Sequence, residues 1–152
     1  MVKRRKVWDK VLRRRKAAVR KRDWYIKETS KYLLIRLLQI GIRIFYVIPV
    51  NSRRIVFHSY VGKQYSCNPR AITEYLLENY PDKYEIIWFF RDPDQYHYLK
   101  EKNIRVVKYF SIKRIFLEVT ARASINNCGS FNWIPVRKSQ LHVNTWHGGG
   151  CY

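Results

Sequence analysis

The chain has 152 residues, of which 47% are hydrophobic, and it carries a formal charge of +20. That length supports one hydrophobic core, and that charge favours partners bearing phosphate: anionic lipid, nucleic acid or a phosphorylated substrate. Its 3 cysteines, Cys67, Cys128 and Cys151, show no CxxC spacing, which argues against a disulfide framework and a zinc site.

The charge is concentrated at the amino terminus. Residues 1–27 hold 13 Lys/Arg against Asp9 and Asp23, a net +11, whereas residues 28–152 carry +9. Val7, Trp8, Val11, Leu12, Ala18, Val19 and Tyr25 recur at roughly helical spacing among these cations. This predicts a basic helix with a narrow apolar stripe. A solvated tail, a membrane-surface helix and a nucleic-acid arm all fit that pattern, and Trp8 and Trp24 favour the membrane surface. The basic stretch is too long for a signal peptide.

Leu33–Val50 is the most apolar segment, with Arg36, Gln39 and Arg43 on one helical stripe that Thr29 and Tyr32 extend. Two arginines near the middle of a span would each cost roughly 2.5–3.5 kcal/mol on insertion scales. An amphipathic helix lying in the membrane plane is therefore expected, with a core helix and a spanning helix as the alternatives. Pro49 and Asn51-Ser52 end it, so residues 1–50 and 51–152 are expected to form separate regions.

From Arg53 onward, strand and helix alternate. Strands are expected at Arg54–Ser59, Tyr84–Phe90, Arg105–Tyr109, Ala123–Asn127 and Leu141–Trp146. Helices are expected from Pro69 to Tyr80 with Asn68 as N-cap, from Asp92-Pro93-Asp94 to about Lys102, and from a Ser111 cap to Thr120 or Ala121. This alternation predicts an α/β, Rossmann-like parallel sheet. Unbroken apolar runs such as Ile86–Phe90 fit strands covered on both faces.

Ligands of open α/β sheets bind at the carboxyl ends of the strands. After the first strand, Ser59–Ser66 leads through Asn68-Pro69 to Arg70, and holds Gly62 and Lys63. Only one glycine is present, so a dinucleotide cofactor is unsupported. Gly62 allows close backbone approach, and Lys63 and Arg70 suit an anion at the following helix, although an ordinary surface loop reads the same way. Cys128 reads as structural. The fifth strand delivers His147 into Gly148, Gly149 and Gly150. An imidazole there can take a proton from a hydroxyl, and the glycine amides can hold phosphate oxygens. His58, His97 and His142 lie inside elements and read as structural, and no metal motif is present.

Several stretches together resemble one family. These are Asn51–Phe57, Ser59–Ile72, Tyr84–Arg91 and Val143–Gly150, which are similar to the CDP-glycerol glycerophosphotransferases that prime or polymerise teichoic acids and related wall or capsule polymers. The resemblance implies that residues 51–152 form the N-terminal half of a GT-B glycosyltransferase-like fold, preceded by basic and amphipathic membrane-binding helices. It implies transfer of glycerol phosphate from CDP-glycerol to a lipid-linked glycerol-phosphate or saccharide acceptor, peripherally on the cytoplasmic face of the cell membrane. His147 matches the family's proposed general base. Ser59, Gly62, Lys63, Asn68, Arg70, Gly148 and Gly149 are the candidate substrate-binding residues. After the His-Gly pair this chain reads Gly149-Gly150-Cys151-Tyr152, where many relatives carry a Thr-Pro-Leu-Lys-like continuation, and the family's second domain is not represented. An N-terminal fragment without transferase activity of its own is the resulting expectation. A non-catalytic membrane-binding remnant is the alternative. A nucleic-acid-binding protein ranks below both, since no recognition motif accompanies the charge.

Overall fold

The computed structural model describes residues 2–128 and 134–146. The chain divides into two compact units, residues 1–40 and 41–152.

The first unit is helical. The basic leader and the apolar segment, expected as two helices, form one α-helix, α1 (Val2–Arg43). No residue between them breaks it, because the first proline of the chain is Pro49. Arg36 donates from Nε to the Tyr32 hydroxyl at 2.8 Å and from its terminal nitrogen to Gln39 Oε1 at 3.3 Å. The polar stripe read from the sequence is thus a hydrogen-bonded row, while Trp24, Leu33, Leu34, Leu37, Leu38 and Ile40 are exposed. Among the described residues no helix is long and apolar enough to cross a membrane.

The second unit opens with the end of α1 and a 3-10 turn, Ile44–Val47. Ile42, Val119 and Ile134 form a small buried cluster flanked by Phe45, Tyr46 and Ile115. The Arg137 guanidinium donates to the carbonyls of Phe45 at 2.7 Å, Ile48 at 2.6 Å and Tyr46 at 3.3 Å, satisfying groups that a helix end leaves open.

Five strands follow: β1 (Asn51–His58), β2 (Glu85–Phe90), β3 (Arg105–Lys108), β4 (Ala121–Asn126) and β5 (Leu141–Asn144). All pair in parallel, in the order β3-β2-β1-β4-β5. This is the expected α/β, Rossmann-like sheet. The connections are α2 (Cys67–Asn79), a 3-10 helix (Asp94–Lys102) and α3 (Ile112–Val119). Ser111 caps α3 as expected, accepting from the Arg114 amide at 3.1 Å.

Period-2 alternation sends two apolar sets to opposite faces. Ile55, Phe57, Ile86, Trp88, Phe90, Ala123 and Ile125 meet α2 and the 3-10 helix. There Trp88 stacks between Phe57 and Phe90 at 5.7 and 5.6 Å. Its buried Nε1 donates to Thr73 Oγ1 at 2.9 Å, so the polar tip of the ring is satisfied. Val56, Ile87, Phe89, Val107 and Tyr109 meet α3 on the other face. Fully buried strands on both faces explain the unbroken apolar runs.

Candidate active site

The strand order reverses between β1 and β4, so the crevice at their carboxyl ends is where an open α/β sheet binds ligands. The loop leaving β1 passes through three consecutive left-handed residues: Tyr60 (φ 47°), Val61 (φ 57°) and Gly62 (φ 77°). A β-branched residue in that region is strained, and such strain persists only where neighbours over-determine the backbone. Here they do. The Tyr60 amide donates to Asn127 Oδ1 at 2.9 Å and the Val61 amide to Cys128 Sγ at 3.2 Å. Arg91 donates from its amide to the Gly62 carbonyl at 2.7 Å and from Nε to the Val61 carbonyl at 3.0 Å.

Gly62 is needed for packing as well as for its φ. A Cβ there would lie 2.6 Å from Tyr109 Cδ2, so the glycine admits an aromatic ring of the core. Ser59 is fully buried, with its hydroxyl 3.5 Å from that of Ser66. Lys63 is exposed, and its carbonyl accepts from the Tyr96 hydroxyl at 2.9 Å. Arg70 turns along α2, pairing with Glu74 at 2.8 Å and lying 5.4 Å from the Tyr65 ring centroid.

Asn68 was expected to cap α2. Instead the helix begins at Cys67, with Ser66 at the cap position. The Asn68 side-chain amide reaches across the rim to the carbonyls of Thr145 and Trp146, at 3.2 and 3.3 Å. The same short segment is gripped from β4, because the Thr145 amide donates to the Asn126 carbonyl at 2.7 Å and its hydroxyl to that carbonyl at 3.1 Å. The Trp146 amide donates to Asn144 Oδ1 at 3.0 Å, and Trp146 itself takes φ 53°. The two residues that lead into His147 are therefore held by α2, β4 and β5 together. His147, Gly148 and Gly149 lie outside the described residues.

Two features were not legible beforehand. Asn126 and Asn127 are both fully buried at the carboxyl end of β4, where they anchor the β1 and β5 loops. An Asn-Asn pair closing an otherwise apolar strand was the available signal. Cys67, exposed at φ 63°, has its thiol pulled below the ordinary cysteine value, chiefly by the Asn127 side chain and then by the Asn68 backbone amide.

Behind this rim, His58 is buried and its pKa is lowered to about 3, first by burial and then by Arg114 and His142. Its ring meets Tyr109 edge-on at 5.4 Å. Burial thus keeps the ring neutral at the end of β1.

A sequence model of the CDP-Glycerol:Poly(glycerophosphate) glycerophosphotransferase family matches residues 40–150. A teichoic acid poly(glycerol phosphate) polymerase of Bacillus spizizenii is 40% identical over 118 residues, covering 76% of this chain and 29% of the relative. A teichoic acid glycerol-phosphate transferase of Staphylococcus aureus is 31% identical over 123 residues, covering 81% of this chain and 31% of the relative. Among solved structures, the wall teichoic acid polymerase TagF superposes with a TM-score of 0.59 at 27% identity, over 78% of this chain and 30% of that one. A histidine-to-asparagine variant of that polymerase, soaked with CDPG, matches at 0.59 and 26% identity over 78% of this chain and 29% of that one. The chain thus spans under a third of the length of these relatives, but the match runs through every strand and loop of the rim. The chain belongs to the CDP-glycerol:poly(glycerophosphate) glycerophosphotransferase family.

Proposed function

We propose that this chain forms the acceptor-side half of a CDP-glycerol glycerophosphotransferase site, working at an anionic membrane surface on the cytoplasmic face. The observation that carries the reading is the convergence of Asn68, Asn126 and Asn144 on Thr145 and Trp146. They fix the backbone that leads into His147, at the switch point where such sheets bind ligands. In this reaction an acceptor hydroxyl oxygen attacks the β-phosphorus of CDP-glycerol. The new P–O bond forms as the bond to the bridging oxygen breaks, CMP leaves, and His147 takes the hydroxyl proton. Gly148 and Gly149 amides are suited to the phosphate oxygens.

The chain spans under a third of its relatives' length, so the reaction is tested with the remaining portion of a relative supplied. The test is an assay with CDP-glycerol and a lipid-linked acceptor. We expect product from a fusion to the carboxyl-terminal portion of the Bacillus spizizenii polymerase. His147→Ala should abolish that product; undiminished turnover by the variant fusion refutes the assignment.

Membrane attachment is supported by the exposed Trp24, Tyr25, Leu33, Leu34 and Leu37 on a strongly basic helix. Flotation with anionic vesicles should weaken when residues 1–40 are removed. That deletion leaves the Ile42 cluster of the second unit in place.

A further inference from the structure

A second concavity lies beside the outer edge of β3, away from the β1/β4 switch point. It encloses about 290 Å³, with Val106 and Val107 along one wall. Three elements bring cations to it: Lys100 from the 3-10 helix, Lys108 from β3 and Lys113 from α3. Among the described residues none of these ammonium groups has a carboxylate within 4.0 Å, and Asp94 is the one acid of the lining.

His97 adds a fourth donor. Lys100 Nζ lies 2.8 Å from His97 Nε2. With the ammonium as donor, Nε2 accepts and the imidazole proton resides on Nδ1. Ser111 fixes the frame rather than binding. Its hydroxyl donates to the Lys108 carbonyl at 2.7 Å and accepts from the Arg114 amide at 3.1 Å, so its proton is spent.

We propose that this groove binds a glycerol phosphodiester, namely a phosphate further along the acceptor polymer than the reacting hydroxyl. The inference rests on the transferase reading for the identity of the polymer. The chemistry of the groove itself asks only for an anion with oxygens facing several directions. Lysines do protect open sheet edges from pairing, and that accounts for Lys108. It does not account for Lys100 and Lys113 arriving from two other elements at the same concavity. The carboxyl rim also carries a cation after each neighbouring strand, Lys63 beyond β1 and Arg91 beyond β2. Arg91 lies 5.5 Å from the centroid of exposed Phe110, next to β3. A polyanion leaving the switch point toward β3 therefore meets Lys63, Arg91 and the three lysines, against Asp92 and Asp94 on the same side.

The test is an NMR titration of the full chain with glycerophosphoglycerol, the simplest such diester. Resonances of the His97 ring and the Ser111 and Lys113 amides should shift and saturate. In K108Q/K113Q the apparent affinity should fall about tenfold or more, since each charge-assisted bond is worth that order. A K27Q/K83Q variant loses the same charge elsewhere and should bind as the unaltered chain does. Backbone spectra of both variants establish that they are folded. No shift at His97, or equal losses in the two double variants, overturns the groove as a site. Saturation by inorganic phosphate at the same concentration as the diester means an unselective anion site and overturns the polymer assignment. None of these outcomes depends on turnover, so the transferase reading stands or falls separately through His147.

Discussion

The side-chain amide of Asn68 donates to the carbonyl of Trp146 at 3.3 Å and to that of Thr145 at 3.2 Å, joining the start of α2 to the end of the edge strand β5. The geometry calls for a donor at this position, which separates it from a capping residue. Asn68→Ala removes two partly solvated hydrogen bonds and should cost about 1 kcal/mol. Asn68→Asp should cost more, because it turns an acceptor toward two carbonyl oxygens. Urea midpoints read the order, and hydrogen exchange at the Thr145 amide reports the loosening directly.

Gly62 should tolerate no side chain. At φ 77° with Tyr109 Cδ2 2.6 Å from the Cβ position, Gly62→Ala carries both backbone strain and a clash. A loss of about 1–3 kcal/mol is expected. Tyr109→Ala relieves the clash alone, so a double-mutant cycle on denaturation free energies should show the two changes costing less together than their sum.

Arg114 and Glu118 form an ion pair at 2.9 Å with side chains only 4% and 8% exposed. Arg114 also lies 3.7 Å from the Tyr109 ring centroid. Removing one partner leaves a buried charge, so Glu118→Ala should destabilise by about 3–5 kcal/mol, while Arg114→Met with Glu118→Leu should be far milder. Thermal melts of the two variants beside the unaltered chain decide it.

Stability should fall on acidification. His58 is held neutral in the folded chain down to about pH 3, whereas in the unfolded chain it takes up a proton near its ordinary value of 6.5. The unfolded state therefore binds more protons below that value, and His58 contributes a loss of about 1.4 kcal/mol per pH unit as pH falls from 6.5 toward 3. Denaturation between pH 6.5 and 5, above the range where carboxylates titrate, should show this slope. His58→Leu should flatten it.

The five strands were legible in the sequence, and the structure leaves Leu141 59% and Trp146 63% exposed at the edge strand β5. Helix boundaries were less legible. The leader and the Leu33 segment run together because each turn of a helix depends on its neighbours, and nothing between them interrupts the hydrogen bonding. The role of Asn68 was misjudged for a related reason: a polar residue before proline carries a local capping signal, and the carbonyls that claimed it belong to a distant strand.

The amino-acid order by itself determined the strands, the α/β class, the family and the place of the basic leader. Each of these is written in local periodicity, charge density or contiguous motifs. Tertiary structure alone decided the order β3-β2-β1-β4-β5, the packing of Tyr109 against Gly62, the burial of Asn126 and Asn127, and the meeting of Lys100, Lys108 and Lys113 at one groove. These join residues far apart along the chain, and periodicity records which face of an element is covered without recording what covers it.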